Sequence, residues 1–407
     1  MNKLPSIICI LLLGLLWACS KDDSAGGPPA VRAVTLLDST KQDSAFTRAL
    51  PGTLLLVTGD NLGGITEVYF NGMKAYFNPA YNTNTHLIIT IPEEAPTEAT
   101  DPAVPNQIRI VTTHGETTYA FVVDIPPPSI TAISNENALP GDSLIIYGSA
   151  LWLIEKIQFP GGRTVTALNG NTEGTRVGLI MPDLGTDTGR ITIVAKYGST
   201  RSDGPLNDHQ SGDVFSNLTD EGETGELPRF NWAWWGADRK NDAALFPGTR
   251  GHYLHCLFGG VGADDGAWWN NGRSGNFNDA PMFTAAIMTQ QASNYALKFE
   301  VNTKEPWTTA VCVLRFGDNY AYRFTPFTGA PGQSFHTANK WQTVTVRLSE
   351  FRKAADGVEG TGANAASMGD LLKAGGVVPF GFRIISAAAP IEVFNAAFDN
   401  FRIIKVN

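Results

Sequence analysis

No stretch of the sequence concentrates lysine and arginine. The 407 residues carry 30 Lys and Arg against 39 Asp and Glu, a formal net charge of −9. Proteins that bind nucleic acid neutralise several phosphates with clustered basic side chains. We therefore expect no nucleic acid partner.

Recognisable catalytic motifs are also missing. The chain has no Gly-x-Ser-x-Gly nucleophile elbow. His252 and His255 stand three apart in a predicted strand, so they face opposite sides and lack the helical HExxH zinc pattern. Residues 360–365 fit a GxGxxA string, but no apolar strand precedes them, and we interpret them as a loop. The sequence predicts neither a metal site nor a cofactor.

Acidic residues leave one enzymatic alternative open. A glycosidase needs two carboxyl groups at a defined separation, and Asp264, Asp265, Glu300 and Glu305 are available. They do not form the clustered acid motif of jelly-roll glycanases. We predict that the chain is no enzyme, and a glycoside hydrolase of β-jelly-roll type is the alternative.

The N-terminus carries an apolar run from Ile7 to Trp17 that follows Lys3. The run is too short to span a bilayer, so residues 1–18 are interpreted as a signal peptide. It ends in Leu-Trp-Ala-Cys, which resembles the bacterial lipoprotein box, and the resemblance implies acylation of Cys19. Several acyl chains anchor a protein stably where one binds only marginally. An incidental thiol at Cys19 in an ordinary signal peptide is the alternative.

Residues 20–24, Ser-Lys-Asp-Asp-Ser, follow directly. They resemble the short signal that sends some Gram-negative lipoproteins to the outer leaflet of the outer membrane, although a solvated linker has a similar composition. The resemblance implies a lipid-anchored protein at the cell surface, with residues 19–29 as its tether.

Cysteine is scarce in the mature chain. Cys9 leaves with the signal peptide and Cys19 is the lipidation candidate, so only Cys256 and Cys312 remain. Both lie in apolar, strand-like runs, and we expect two buried thiols that pack as small hydrophobes. A disulfide between them in an oxidising compartment is the alternative.

A repeat organises the first half of the mature chain. With 42 Gly and 24 Pro, the composition predicts an all-β protein with many turns. Residues 50–59 match residues 139–148 at an offset of 89 residues, the size of one small sandwich, and further strand-like blocks match in the same order.

The order of these blocks, Pro-Gly, apolar strand, Gly, then Ile-x-x-Val-x-Phe-x-Gly, resembles the IPT/TIG domain. The resemblance implies two tandem immunoglobulin-like β-sandwiches, at residues 30–125 and 126–205, that act as spacers or noncatalytic binding modules. Residues 125–129, Ile-Pro-Pro-Pro-Ser, separate them. A proline run favours the extended polyproline conformation, so we expect a stiff hinge.

The repeat stops in a polar, acidic stretch at residues 201–228. Beyond it, apolar residues alternate with polar ones at residues 295–301, 344–348 and 398–404. This pattern predicts a third, larger domain at residues 206–407, a β-sandwich or jelly roll. One short helix is expected near residues 368–373.

Tryptophan is concentrated in this third domain, where seven of the nine lie. If the segments of the doublets Trp234-Trp235 and Trp268-Trp269 are strands, neighbouring rings point to opposite faces and cannot all be buried. An exposed indole matches the apolar face of a sugar ring, and nearby polar side chains match its hydroxyls. A single Trp is more often a core residue. Trp341 is predicted to be structural, and the sequence leaves the role of Trp307 undecided.

The whole order of features resembles the surface glycan-binding lipoproteins of starch-utilisation-like uptake systems. In that family the distal domain binds polysaccharide through an aromatic platform, and Ig-like domains project it from the membrane. The resemblance implies a noncatalytic polysaccharide-binding protein whose partners are an outer-membrane glycan transporter and surface hydrolases. Its ligand-binding residues would be a platform of Trp235, Trp268 and Trp269 with hydroxyl partners Asp264, Asp265, Asn270 and Arg273. A protein-binding adhesin or scaffold is a further alternative.

Overall fold

The computed structural model describes residues 26–37, 45–208, 214–218, 230–231, 237–267, 272–327 and 333–406. The chain divides into two compact units, Met1–Pro126 and Pro127–Asn407. Within the described ranges, no helix has the length and apolar character needed to cross a membrane. The predicted signal peptide and Cys19 lie outside the described residues, so both remain predictions.

The first unit is an immunoglobulin-like sandwich. Its strands are β1 (Ala30–Leu36), β2 (Arg48–Ala49), β3 (Leu54–Asp60), β4 (Ile65–Phe70), β5 (Met73–Ala75), β6 (His86–Thr90), β7 (Gln107–Thr112), β8 (Gly115–Ala120) and β9 (Val122–Val123). One sheet has the order β1-β3-β6 and the other β5-β4-β7-β8, while β2 pairs with β9 in parallel. Alternate residues, such as Leu55 and Val57 of β3, are fully buried between the sheets, which close on one apolar core.

A second sandwich of the same design begins the second unit. Its strands are β10 (Ser129–Ile133), β11 (Ser143–Ser149), β12 (Ile154–Gln158), β13 (Thr164–Val165), β14 (Asn169–Gly170), β15 (Arg176–Ile180), β16 (Thr192–Ala195) and β17 (Gly198–Arg201). The sheets have the orders β10-β11-β15-β14 and β13-β12-β16-β17. Leu144, Ile146, Ile157 and Ile193 are fully buried between them, so this sandwich also has its own core.

The repeat is visible in the backbone itself. Both β1 and β10 carry a β-bulge where they pair with β3 and β11. Gly59 and Gly148, 89 residues apart in the sequence, lie at these bulges. A Cβ on Gly59 would lie 2.0 Å from the carbonyl oxygen of Ala30, and one on Gly148 would lie 1.8 Å from that of Ser129. Only glycine allows the first strand to approach this closely.

The C-terminal domain is a larger sandwich. Its strands are β18 (Val214–Ser216), β19 (Phe230–Asn231), β20 (Asp238–Lys240), β21 (Tyr253–Val261), β22 (Ser274–Phe277), β23 (Ala280–Pro281), β24 (Tyr295–Thr303), β25 (Ala310–Phe316), β26 (Tyr320–Phe324), β27 (Gln342–Arg347), β28 (Val377–Val378), β29 (Phe380–Ser386) and β30 (Ile391–Lys405). A six-stranded sheet has the order β20-β21-β30-β24-β27, with β18 also paired to β30, and a five-stranded sheet has the order β19-β22-β29-β25-β26. Strands β23 and β28 form a small separate ribbon. The prediction of an all-β chain with a larger C-terminal sandwich is confirmed.

Helical structure is short throughout the described residues. The predicted helix is present as α1 (Met368–Leu371), where the Asp370 carboxylate accepts a hydrogen bond from the Ser367 backbone N–H at 2.9 Å. Single turns of 3-10 helix occur at Pro79–Tyr81, Pro160–Gly162, Ala285–Thr289, Ala292–Asn294 and Leu348–Glu350.

Two of the tryptophans belong to the apolar interior of the C-terminal domain. Trp307 is 2% exposed, its indole N–H donates to the Ala310 carbonyl at 2.6 Å, and its ring meets Phe394 edge-on at 4.8 Å between centroids. Trp341 is 7% exposed and packs against Phe246 and Tyr253. The structural role predicted for Trp341 is confirmed, and Trp307, which the sequence left open, is also a core residue.

Cys256 and Cys312 face the same core from opposite sheets, on β21 and β25. Both are fully buried free thiols, as the sequence predicted. Burial raises the pKa of each thiol, which suppresses the reactive thiolate.

We expect neither thiol to react with Ellman's reagent in the folded soluble protein, because a reagent that needs the thiolate meets two neutral, inaccessible groups. After denaturation without reductant, the same preparation should titrate as two thiols per chain, since Cys256 and Cys312 are unpaired. A count of zero after denaturation would demonstrate the disulfide instead. Rapid modification of the native protein would contradict the burial.

The second sandwich and the C-terminal domain meet through buried charges on the outer face of the six-stranded sheet. We call Glu136, Lys298, Glu300 and Arg402 the docking cluster. Arg402 Nη2 lies 2.8 Å from Glu136 Oε2, Arg402 Nη1 lies 2.8 Å from Glu300 Oε2, and Lys298 pairs with Glu136. All four side chains are 6% exposed or less. Two carboxylates therefore face two cations out of contact with water.

The charges of this interface stabilise the ionised form of the Glu136 carboxyl group. Burial raises the pKa of Glu136, but Lys298 and Arg402 outweigh burial and hold that pKa below its ordinary value of 4.5. Nearby, burial raises the pKa of Asp399 well above 3.8, and Glu300 adds to that rise. Asp399 therefore retains its proton more readily than an exposed carboxyl does, and it adds little charge to the docking cluster.

Further hydrogen bonds extend this interface. The Thr343 hydroxyl donates to Glu300 and accepts from the Glu136 backbone N–H, both at 2.8 Å. Arg250 donates to the Ala138 carbonyl at 2.9 Å and also to the side chain of Asn207. The second sandwich is thus joined to the C-terminal domain by directed contacts as well as by charge.

Candidate functional site

The contact with the second sandwich covers the outer face of the six-stranded sheet. The candidate ligand site is therefore sought on the outer face of the five-stranded sheet. In β29, Phe380, Phe382 and Ile384 point into the core, and the alternate residues Gly381 and Arg383 point outward. The outer face of the five-stranded sheet therefore carries the side chains that the docking interface does not use.

Two cross-strand rows define this face. One row comprises Asn276 of β22, Gly381 of β29, Arg315 of β25 and Ala321 of β26. The next row comprises Ser274, Arg383, Val313 and Arg323 on the same strands. Since neighbouring strands lie about 4.8 Å apart, each row spans roughly 14 Å. The partly exposed polar side chains of these rows are Asn276, Arg315, Arg323 and Arg383, whereas Ser274, Val313 and Ala321 are buried.

The loop at residues 352–364 folds beside this face and brings a carboxylate to it. Backbone hydrogen bonds in both directions, each 2.8 Å, join Arg352 to Ala321. Glu359 lies between two guanidinium groups: its Oε1 is 3.2 Å from Arg315 Nε, and its other oxygen pairs with Arg383. All three side chains are partly exposed. They present fixed donors and acceptors to solvent.

A cleft of about 460 Å³ adjoins this array. Asn276, Arg315, Gly381 and Arg383 contribute to its lining, together with the turn at residues 317–319 and residues 370–373. Lys373 pairs with Asp279 at the rim, 2.6 Å between Nζ and Oδ2. The volume of the cleft lies within the range of about 300–1,000 Å³ that is typical of small-molecule sites.

The Gly-rich loop with the predicted ligand residues is fixed to the opposite end of β29. Asp264 is exposed, and its backbone N–H donates to the Ala387 carbonyl at 2.7 Å. Asp265 is partly exposed, and the backbone N–H of Ala267 and then Arg273 lower its pKa. Both carboxylates are accessible to a ligand.

Arg273 has a different position from the one expected. It is 2% exposed, and it donates to the Ile384 carbonyl at 3.0 Å, to the Asp265 carbonyl at 3.0 Å and to the Asp265 carboxylate at 3.3 Å. Its guanidinium therefore anchors the loop to β29 rather than opening to a ligand. Burial of an arginine is favourable only with such a full set of partners.

Trp235, Trp268, Trp269 and Asn270 lie outside the described residues, so their roles remain predictions. The residues on either side of the first aromatic segment lie beside β22, and the second segment ends next to that strand. Asn231 pairs with Asn276, the Ala237 N–H donates to the Ser274 carbonyl at 2.7 Å, and Gly272 precedes Arg273. The first segment therefore starts and finishes beside β22, and the second leads from the end of β29 into β22.

Glu300 is kept apart from Asp264 and Asp265, the neighbouring carboxyl groups of the enzymatic alternative. Glu300 is buried in the docking cluster on the outer face of the six-stranded sheet, whereas Asp265 lies beside the five-stranded sheet. The phenylalanine-rich core separates them. Among the described residues, no group of three or more His, Cys, Asp or Glu side chains could hold a metal ion. His255 is buried and bonded to Asn395 at 2.9 Å.

Sequence reasoning missed the polar residues of this face. Asn276, Arg315 and Arg383 could have been found, because each alternates with inward apolar residues in its strand. Glu359 lies in an irregular loop with no periodic pattern, so the sequence contains no signal that would assign it to the face.

Comparisons with known proteins agree with this architecture. Residues 212–405 match the family described as surface glycan-binding protein B xyloglucan binding domain. An IPT/TIG domain-containing protein of Bacteroides ovatus is 34% identical over 156 residues, which are 36% of this chain and 32% of that protein. The aligned part thus spans about a third of the relative's length.

The crystal structure of surface glycan-binding protein PbSGBP-B from Prevotella bryantii is similar with a TM-score of 0.71 and 21% identity, and the match covers 94% of this chain and 99% of that one. At this identity the likeness establishes the fold. The resemblance to surface glycan-binding proteins with IPT/TIG domains is confirmed. The description of the matched family is that of a carbohydrate-binding domain, and the absence of catalysis stays a prediction for this chain.

Proposed function

We propose, from the premise that residues 212–405 form a domain of the surface glycan-binding protein B type, that the chain captures a polysaccharide at the cell surface without cleaving it. The family match carries this proposal. It is supported by the position of the docking cluster, which leaves the outer face of the five-stranded sheet to the ligand. The family description makes xyloglucan the first ligand to test.

The aromatic platform is part of the proposal. Trp235, Trp268 and Trp269 stack on the apolar faces of sugar rings, and Asn270 and Asp264 bind their hydroxyls. Asp265 contributes its partly exposed carboxylate, while Arg273 holds the loop in place. The described neighbours of the aromatic segments support this assignment, since the first segment starts and finishes beside β22 and the second leads into that strand.

The remaining parts of the chain present the binding domain. Cys19 carries the lipid anchor in the outer membrane, and the two Ig-like sandwiches, residues 30–125 and 126–205, act as the spacer. An outer-membrane transporter and surface hydrolases process and import the captured glycan. The lipoprotein-box resemblance at residues 16–19 and the IPT/TIG relative support this arrangement.

A binding screen tests the proposal. The soluble chain starting after residue 24 should be retarded in native gels that contain xyloglucan or another glycan from a plant and microbial panel, with an affinity in the micromolar to millimolar range. It should release no reducing sugars from the glycan it binds. Reducing-sugar release would favour the hydrolase alternative. Absence of binding across the panel and a glycan array would favour a protein-binding adhesin.

A further inference from the structure

The cleft of the five-stranded sheet begins beside the anchor of the loop that carries Trp268 and Trp269, and it extends away from that anchor. The loop is anchored by Arg273 at Ile384 of β29, whereas the cleft extends along β29 from Arg383 to Pro379. Four residues of extended strand separate Ile384 from Phe380, on the order of 13 Å. A group held deep in the cleft is therefore a different part of the ligand from one held at the loop.

Each cation that lines the cleft is already paired with a carboxylate. Arg315 pairs with Glu359 and Asp318, Arg383 pairs with Glu359, and Lys373 pairs with Asp279. An anionic sugar would have to displace one of these carboxylates. A neutral hydroxyl, in contrast, accepts from a guanidinium and donates to a carboxylate oxygen at the same time. The charge pattern therefore favours a neutral, hydroxyl-rich group.

Gly381 leaves the floor of the cleft open to a sugar ring. Gly381 lies between Asn276 and Arg315 in the cross-strand row, and a Cβ there would be 3.2 Å from Asn276 Oδ1. A glycine at the centre of a sheet face leaves the backbone open to close approach by a ligand. Asn276 adds an amide, which both donates and accepts.

We propose that this cleft is a second carbohydrate subsite, which holds a neutral sugar residue of the same polysaccharide that the platform holds. Asn276 and Arg315 of the cleft lining contact its hydroxyls, together with Glu359, which lies beside the cleft and pairs with Arg315 and Arg383. This inference rests on the proposed function. Two subsites on one sheet face engage one polymer together, and the second contact forms at high effective concentration.

Calorimetric titration of the soluble chain with a neutral xyloglucan oligosaccharide tests the subsite. The variants Asn276→Ala and Glu359→Gln should each bind about tenfold more weakly, since each loses a hydrogen bond, in one case a charge-assisted bond. Asp356→Asn is the matched control and should bind like wild type, because it removes an exposed carboxylate from the same loop, whereas Glu359 pairs with two arginines of the cleft lining.

Glu359→Gln also removes the negative charge that Arg315 and Arg383 share, while Arg315 keeps its pair with Asp318. The ratio of its affinities for a glucuronate-bearing and a neutral oligosaccharide should therefore rise several-fold above that of wild type, which simple loss of structure would not produce. If wild type binds and both cleft variants bind equally well, the subsite is wrong while the proposed function stands. If wild type binds no glycan, the proposed function itself fails. Should Glu359→Gln not fold, Asn276→Ala alone decides the subsite.

Discussion

We expect the double variant Trp268→Ala/Trp269→Ala to bind polysaccharide at least 30-fold more weakly than wild type. By analogy with the stacking of bases on aromatic side chains, each lost contact costs about 1–3 kcal/mol. Two contacts then cost roughly 2–6 kcal/mol, and every 1.4 kcal/mol is tenfold in affinity. Retardation in native gels that contain the polysaccharide, followed by calorimetric titration, measures the loss.

Thermal unfolding separates this result from a structural effect. The double variant should melt within a few degrees of wild type, because rings that bind the ligand at the surface, as proposed, contribute little to the core. Trp307→Ala should behave in the opposite way and lose about 3–5 kcal/mol of stability, since its ring is packed among phenylalanines. Trp152→Ala, in the second sandwich, is the binding control and should leave affinity unchanged. A large fall in the melting temperature of the double variant would place its indoles in the core.

The second large effect concerns stability. Glu136→Gln should lower the free energy of unfolding of the second unit by about 3–5 kcal/mol at neutral pH. The substitution keeps the side-chain shape but leaves Lys298 and Arg402 buried with only Glu300 to balance them. Urea unfolding followed by tryptophan fluorescence measures the difference.

The difference in the free energy of unfolding between wild type and Glu136→Gln depends on pH. The pKa of Glu136 is held below 4.5 in the folded protein, so its stabilising contribution is complete above about pH 4.5 and is lost as the pH falls through the folded pKa. The gap between wild type and Glu136→Gln should therefore be largest near neutrality and shrink in acid. Glu155→Gln, at an exposed position of the same sandwich, should stay within about 0.5 kcal/mol of wild type. A gap below 1 kcal/mol at pH 7 would refute the role of the docking cluster.

The fold was predictable because its rules are local. Period-two alternation and turn residues define strands one at a time, and the repeat at an offset of 89 residues reports a shared steric requirement. Gly59 and Gly148 belong to that requirement, since no other residue fits beside the bulged first strand. Such constraints can be recognised in the sequence before any contact between distant residues is known.

The docking face was not predictable for the opposite reason. In residues 295–301, Lys298 and Glu300 alternate with Leu297 and Phe299, which is the pattern of a strand with one side in water. In the structure both sides of β24 are buried, because Glu136, more than 160 residues away in the chain, covers the charged side. Pairing across that separation leaves no periodic signal in one sequence.

The outer face of the five-stranded sheet was predictable only in part. Outward positions on β22, β25 and β29 follow from alternation, but alternation does not say which of two sheets meets another domain. The carboxylate of Glu359 reaches the sheet only because the loop at residues 352–364 pairs with Ala321. Loop placement of this kind depends on tertiary contacts rather than on composition.

Glu136 also decides where the gene can be divided for recombinant work. A fragment that begins at residue 206 would bring Lys298 and Arg402 to its surface without Glu136, so that Glu300 would be the one carboxylate of the docking cluster left to pair with them. A fragment that begins at Pro127 keeps Glu136 and coincides with the boundary between the two compact units. Crystallisation and ligand soaking of the smallest competent piece should therefore start from residues 127–407.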